Sequence, residues 1–337
     1  MSFKRVLIHS RIHTASLTIP VAMIGYILSG RVDVLSLTLI AVIALLFHGV
    51  GFSWNNIFDY SYDRMDKNKT HFPIISGDID YKRTVNATII ATVITLLIAI
   101  ITDGNIISDA MFIVAIVFGF IYNIYNKRTL IATVYISLSF ASIPVYAYFF
   151  RWSDLLHIIG NAPINYTPLI PTFMFIFSFL TMMFQISVSG YLKDMEVPQK
   201  NLLIWMGGRV QDNVLHSSPL MIAYSIITRL LPVVSVLVFI PLLHFNLIFV
   251  ILFLVLEGVT VYLTIMMLQS VTYDRKRELK RMSMIEIINY FSYVFITASL
   301  VTRHIMLQYI TFMILFPVIW FIVMNRIMWG TDLYPNV

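Results

Sequence analysis

The residues of this chain best suited to chemistry stand together at positions 55–67, NNIFDYSYDRMDK. Asp59, Asp63 and Asp66 are spaced four and then three residues apart, and Asn55 lies four residues before the first of them. On a continuing helix all four share one face, because residues three and four apart are surface neighbours. Such a ladder of like charges repels itself unless a cation sits in it. Two readings follow. One is a solvated helix end whose charge is offset by Arg64, Lys67 and Lys69; the other is a divalent-metal site at the mouth of a membrane cavity. For Asp66, local pairing with Lys67 or Lys69 accounts for the residue as well as ligation does.

The elements that must carry this ladder are membrane helices. Hydrophobic residues make up 59% of the 337 positions and charged residues 12%, about half the charged share of a soluble domain. Runs long enough to cross a bilayer fall at 13–30, 33–54, 84–103, 106–125, 129–150, 167–190, 218–241, 245–270, 285–303 and 305–325. The first run follows Lys4, Arg5 and Arg11 but precedes no small-residue cleavage site, so it is expected to be a retained helix rather than a signal peptide. Cysteine is absent, which excludes disulfides and thiol chemistry. The net charge of +6 does not point to nucleic acid, because its distribution has another cause.

That distribution tests the span map. With a cytoplasmic N-terminus, nineteen of the 23 basic residues fall on the cytoplasmic side, three (Arg31, Arg151, Arg303) on the other, and Arg229 inside a span. This is the bias expected of a correctly alternating map. Two long connections, 55–83 and 191–217, then lie on the cytoplasmic side, and each opens with carboxylates. Both acidic clusters on one side of the membrane meet a requirement for one shared site.

The run Asn55-x-x-x-Asp59-x-x-x-Asp63, followed by Pro73-x-x-Ser76-Gly77, resembles the first signature of the UbiA superfamily of intramembrane prenyltransferases. Tyr122 through Lys127-Arg128 is similar to that family's Tyr…Lys-Arg stretch, and Lys193-Asp194-Met195-Glu196 stands where its second aspartate-rich motif falls. The likeness covers about the first 210 residues in order and spacing. Two departures stand out: Phe72 replaces the usual Arg before Pro73, and Val197 stands where the second motif should have another Asp.

The resemblance implies an all-α polytopic membrane protein. It would be a bundle of nine or ten transmembrane helices around a central cavity, forming one domain over 1–337 capped by the connections at 55–83 and 191–217. It implies Mg²⁺-dependent transfer of a prenyl group from a prenyl diphosphate to a lipophilic or aromatic acceptor, within membrane lipid. Asp59 and Asp63 would bind one ion, with Asn55 as a neutral oxygen donor, and Asp194 with Glu196 a second. On a regular helix Asp194 and Glu196 point about 200° apart, so sharing an ion requires a backbone break, which Pro198 makes available. Lys127, Arg128 and Lys193 would meet diphosphate oxygens. Flanking cations at cytoplasmic helix ends account for Lys127 and Arg128 equally well.

Arg229 lies about eleven residues into its span, and an intramembrane arginine is a functional hypothesis by default. Three readings stand: it faces the cavity and meets diphosphate or acceptor, it snorkels, or it pairs structurally, for instance with Glu257 of the next span. Trp54, Phe58, Tyr60 and Tyr62 surround the ladder and would suit an allylic cation, although aromatics also populate bilayer interfaces. Three alternatives stand beside prenyl transfer: a cyclase of the same fold, a lipid-binding member without catalysis, and a secondary transporter. The transporter reading expects polar groups at mid-membrane, whereas the dense acidic clusters here lie at one surface.

Overall fold

The computed structural model describes residues 3–65, 69–70, 72–151, 168–196, 200–269 and 272–330. Asp66, Lys67, Val197 and Pro198, weighed above, lie outside the described residues. In chain order the helices are α1 (Phe3–His9), α2 (Ala15–Leu28), α3 (Val34–Phe58), α4 (Tyr60–Asp63), α5 (Tyr81–Asp103), α6 (Ile106–Tyr125) and α7 (Ala132–Phe149). Then come α8 (Leu169–Phe184), α9 (Leu202–Trp205), α10 (Pro219–Leu243), α11 (Leu247–Leu268), α12 (Arg275–Ala298) and α13 (Arg303–Trp329). A π-helical turn, Gln185–Gly190, extends α8.

Apolar runs become helices here because a bilayer leaves backbone polar groups no partner but each other. Polar side chains set the helix starts. Asp33 accepts from the Ser36 amide at 2.8 Å, Asp80 from Arg83 at 2.8 Å, Ser218 from Met221 at 3.1 Å and Asp274 from Lys276 at 3.0 Å. Such caps satisfy first-turn donors that the helix itself leaves orphaned. Helix α5 shows the inside-out logic of a lipid-facing element. It exposes Ile90, Val93, Leu97 and Ile101 while burying Thr84, Thr88 and Thr95. Those threonines cost little inside, because each hydroxyl donates to the carbonyl four residues back, at 2.7–2.8 Å.

Among the described residues, eight helices are long and apolar enough to span a membrane, or nine if the bent pair Phe3–His9 and Ile12–Leu28 counts as one. The protein is therefore all-α and multi-pass. Two expectations change. The span expected at 13–30 is preceded by a short helix, Phe3–His9, set at 58° to it, with the break at Arg11, whose φ of 48° is a left-handed conformation that interrupts helix. The span expected at 285–303 is the second half of α12, which begins ten residues earlier at Arg275 and ends at Ala298. Its first turns are too charged for a hydropathy window, yet Asp274 caps them and Glu278 pairs with Arg281 at 3.0 Å, one turn on.

The chain divides into two compact units: Met1–Ile124 with Ser142–Pro168 and Thr311–Val337, and Tyr125–Ala141 with Leu169–Ile310. In the first, α3 packs on α2 and α5. In the second, α10 packs on α8 and α11, and α12 on α11 and the π-turn. The second also contains a small antiparallel hairpin, β1 (Arg209–Gln211) and β2 (Val214–His216). Asp212 and Asn213 turn it with φ of 50° and 58°, the conformation that two-residue hairpin loops demand.

Candidate functional site

The ladder forms as its spacing requires. The Asp59 amide donates to the Asn55 carbonyl at 2.9 Å and the Asp63 amide to the Asp59 carbonyl at 2.8 Å. Helical bonding therefore runs through the junction of α3 and α4 and keeps Asn55, Asp59 and Asp63 on one face. Asp59 and Asp63 are each only 5% exposed. The Asn55 amide donates to Asp59 Oδ2 at 3.4 Å, and Lys69 Nζ pairs with Asp63 Oδ1 at 2.8 Å. A solvated helix end does not bury two carboxylates.

This donor set fits a small divalent cation. Mg²⁺ takes hard oxygen ligands and typically one or two carboxylates, with substrate phosphates completing its shell. Two buried carboxylates one turn apart, with a neutral amide oxygen a turn earlier, supply that partial set. Among the described residues no group of three or more His, Cys, Asp or Glu converges as a complete metal cage.

Around the ladder, Phe72 lies under the Arg11 guanidinium at 5.2 Å, and Phe52 does so at 5.0 Å. Arg11 also donates to Asn56 Oδ1 at 3.0 Å. Gly77 turns the chain after the ladder with φ 80°, a conformation that strains other residues. Trp54, Phe58 and Phe120 form one ring cluster, with centroids 5.1–5.5 Å apart.

The second acidic motif follows the π-turn in the other unit. Residues 193–196 form a turn rather than a helix. Asp194 Oδ2 meets Lys193 Nζ at 3.1 Å and its Oδ1 meets Arg275 Nη2 at 3.0 Å. Burial opposes ionisation of Asp194, but Lys193 and Arg275 outweigh it and hold the carboxyl below its usual range. Glu196 is exposed.

The backbone of this turn is tied down from two directions. Tyr273 Oη donates to the carbonyls of Leu192 at 3.0 Å and Lys193 at 2.8 Å. Asn201 Nδ2 donates to the Tyr191 carbonyl at 2.9 Å. The Lys200 amide reaches the Lys127 carbonyl at 3.3 Å, which brings the Lys127–Arg128 segment to the same loop.

Arg229 makes the pair that stood as the alternative to substrate contact. Its side chain is sealed from solvent, with Nη2 2.5 Å from Glu257 Oε2, a bond to Thr260 and the Phe184 ring 4.6 Å away. Sequence reading missed Tyr273, Arg275 and Asn201. Asp274 followed by a basic run did signal a helix start, but nothing local links that start to residue 194.

The chain is thus a multi-pass helical protein that carries a half-buried Asn55 and the buried Asp59 and Asp63 as a ladder at a helix end. The chain matches the UbiA prenyltransferase family over residues 18–291 and belongs to it. Among solved structures it aligns with a digeranylgeranylglyceryl phosphate synthase at TM-score 0.65 and 18% identity, covering 88% of this chain and 98% of that one. A UbiA homolog from Aeropyrum pernix K1 gives 0.64 at 12% identity, covering 84% and 98%. A UbiA homolog from Archaeoglobus fulgidus bound to GPP and Mg²⁺ gives 0.57 at 13% identity, covering 87% and 99%. At these identities the likeness establishes the fold. No curated protein matches the chain.

Proposed function

We propose that this protein moves a prenyl group from a prenyl diphosphate to a lipophilic or aromatic acceptor within the membrane, with Mg²⁺ as cofactor. The observation that carries the reading is the ladder: two carboxylates, each 5% exposed, one helical turn apart at the end of a membrane helix. Buried carboxylates are costly unless their charge is matched; Lys69 offsets part of it at Asp63, and a divalent ion between the two would offset more. The Archaeoglobus fulgidus homolog that shares the fold binds GPP and Mg²⁺.

In this reading Asp59 and Asp63 hold Mg²⁺ and Asn55 lends a neutral oxygen. The ion, when bound, neutralises charge on the leaving diphosphate. Lys193 and the Lys127–Arg128 segment meet diphosphate oxygens. The rings of Trp54, Phe58 and Phe120 favour a developing allylic cation and keep water from it. The acceptor attacks the allylic carbon and then loses a proton. In this reading both acidic connections face the cytoplasm, the orientation that the distribution of basic residues supports.

The test is thermal unfolding of the full-length protein in detergent with GPP, with and without Mg²⁺, for the parent, Asp59→Ala and Asp63→Ala. Mg²⁺-dependent stabilisation by GPP, lost in both variants, is the expected result. A parent that does not respond to GPP or to longer prenyl diphosphates removes the reading.

A further inference from the structure

The ladder has a cation beside it whose charge no side chain in its own surroundings matches. The Arg11 guanidinium lies over Phe52 at 5.0 Å and over Phe72 at 5.2 Å. Its Nη2 donates to Asn56 Oδ1 at 3.0 Å, while its Nε is buried and has no hydrogen-bond partner. Other cations of this unit are engaged by carboxylates: Arg5 pairs with Asp78 at 3.0 Å and Lys69 with Asp63 at 2.8 Å. Among the described residues Arg11 forms no such pair. A half-buried charge that meets only rings and a neutral amide retains its attraction for an anion.

The position of this cation is set by the helix that carries the ladder. Phe52, Asn56, Asp59 and Asp63 are spaced four, three and four residues apart, so they form one stripe along α3 and α4. Asn56 precedes Asp59 by roughly 4.5 Å of helix rise. Arg11 is thus held about one turn from the carboxylates, on the stripe that bears them. The Asn56 side chain also donates to the His9 carbonyl at 2.6 Å, so one amide ties both sides of the break at residues 10–11 to α3. Arg11 has a φ of 48°, a left-handed conformation that a residue other than glycine keeps only where its surroundings enforce it. His9 brings further hydrogen-bonding capacity to the same place. It is 4% exposed, neither ring nitrogen has a partner, and the Arg11 charge lies close enough to act on the ring. All of these residues belong to the first compact unit.

We infer that Arg11 is a substrate-binding residue: its guanidinium holds diphosphate oxygens next to the ladder, with the His9 ring as a second hydrogen-bonding group. The inference rests on the prenyl-transfer reading and deepens it. A diphosphate has two phosphoryl groups, and oxygens not taken by the ion at Asp59 and Asp63 are left for Arg11. Arginine suits the task because its planar fork presents several donors to phosphate oxygens at once. The faces of Phe52 and Phe72 attract the fork without neutralising its charge.

The experiment follows thermal stabilisation of the full-length protein in detergent across a GPP titration at saturating Mg²⁺. The variants are Arg11→Gln, Arg11→Lys, Arg11→Gly and His9→Phe. Arg11→Gln is expected to weaken GPP binding about ten- to a hundredfold, as loss of a charged hydrogen bond does, while the remaining response still requires Mg²⁺. Arg11→Lys keeps the charge but not the fork and should lose less. Arg11→Gly suits the left-handed backbone and so guards against misfolding; millimolar guanidinium should restore part of its GPP response. His9→Phe should weaken GPP binding severalfold.

Unchanged GPP affinity in Arg11→Gln, even with a lower melting point of the unliganded protein, would make Arg11 a structural residue and overturn the inference while leaving prenyl transfer standing. Unchanged affinity in His9→Phe would overturn the part assigned to His9. Stabilisation by phosphatidylglycerol that disappears in Arg11→Gln, with the GPP response intact, would give the site to a lipid headgroup and overturn the diphosphate assignment. No GPP response in the parent would overturn both the inference and the reading beneath it.

Discussion

Arg229 on α10 and Glu257 on α11 meet at 2.5 Å with both side chains sealed from solvent. Arg229 rests against the Phe184 ring and bonds Thr260, yet its Nε and Nη1 have no hydrogen-bond partner. The pair stands inside spans, where a lone charge is far costlier than a matched one. Arg229→Met is therefore expected to destabilise the protein by about 3–5 kcal/mol. Adding Glu257→Leu should restore most of that loss, because no unpaired charge remains. Unfolding midpoints of the two single variants and the double one decide it, and additive losses would mean that the pair is not coupled.

The pH dependence of stability should carry a signature of Asp194. Its carboxyl is held below the ordinary 3.8 by Lys193 and Arg275 against the opposing effect of burial. A depressed folded value means that the contribution is present above 3.8 and is lost as pH falls through the folded value. The parent and Arg275→Gln should thus differ in unfolding midpoint at neutral pH and converge on the acid side. A gap that persists once Asp194 is protonated in the folded protein, far on the acid side of 3.8, would show that Arg275 stabilises through something other than Asp194.

What could be read from the sequence follows the range of the interactions. The ladder was legible because i,i+4 bonding is local: Asn55, Asp59 and Asp63 needed only a helix that continued, and it does. The spans were legible because a bilayer permits little else for long apolar runs. The start of α12 was hidden by its own charges, which look like loop until Asp274 is recognised as a cap. The hairpin at 209–216 had a local signal, Asp212-Asn213 between Val-Gln and Val-Leu, that passed unread. The π-turn and the bonds that hold the 191–196 turn had none. Gln185 bonds Glu286 101 residues on, and Asp194 bonds Arg275 81 residues on, so no spacing rule connects them.

Close helix packing gives a prediction away from the site. A Cβ added to Gly25 on α2 would overlap the carbonyl oxygen of Pro144 on α7, which is backbone and has little room to yield. Small residues at such crossings let membrane helices approach. Gly25→Ala should cost about 1–3 kcal/mol or more, the range for overpacking. Gly258 on α11 has nothing within 4 Å of the same position, so Gly258→Ala should be neutral or slightly stabilising through helix propensity. Equal effects of the two substitutions would refute the packing account.

Lys69 sets the last expectation, at the ladder itself. Its ammonium is 2.8 Å from Asp63 Oδ1, with side-chain exposures of 24% and 6% for Lys69 and Asp63. In that position it competes with a divalent ion for the same carboxylate, and charges a few ångströms apart near a protein surface interact by several kcal/mol at most. Lys69→Met removes the competitor without removing a ligand. The Mg²⁺ concentration that half-saturates GPP-dependent stabilisation should therefore fall severalfold, and the unliganded protein should melt slightly lower, since Asp63 loses a partner. A rise in the Mg²⁺ requirement would give Lys69 the opposite role: it would orient Asp63 for the ion or hold the diphosphate itself, and the ladder would work as four residues rather than three.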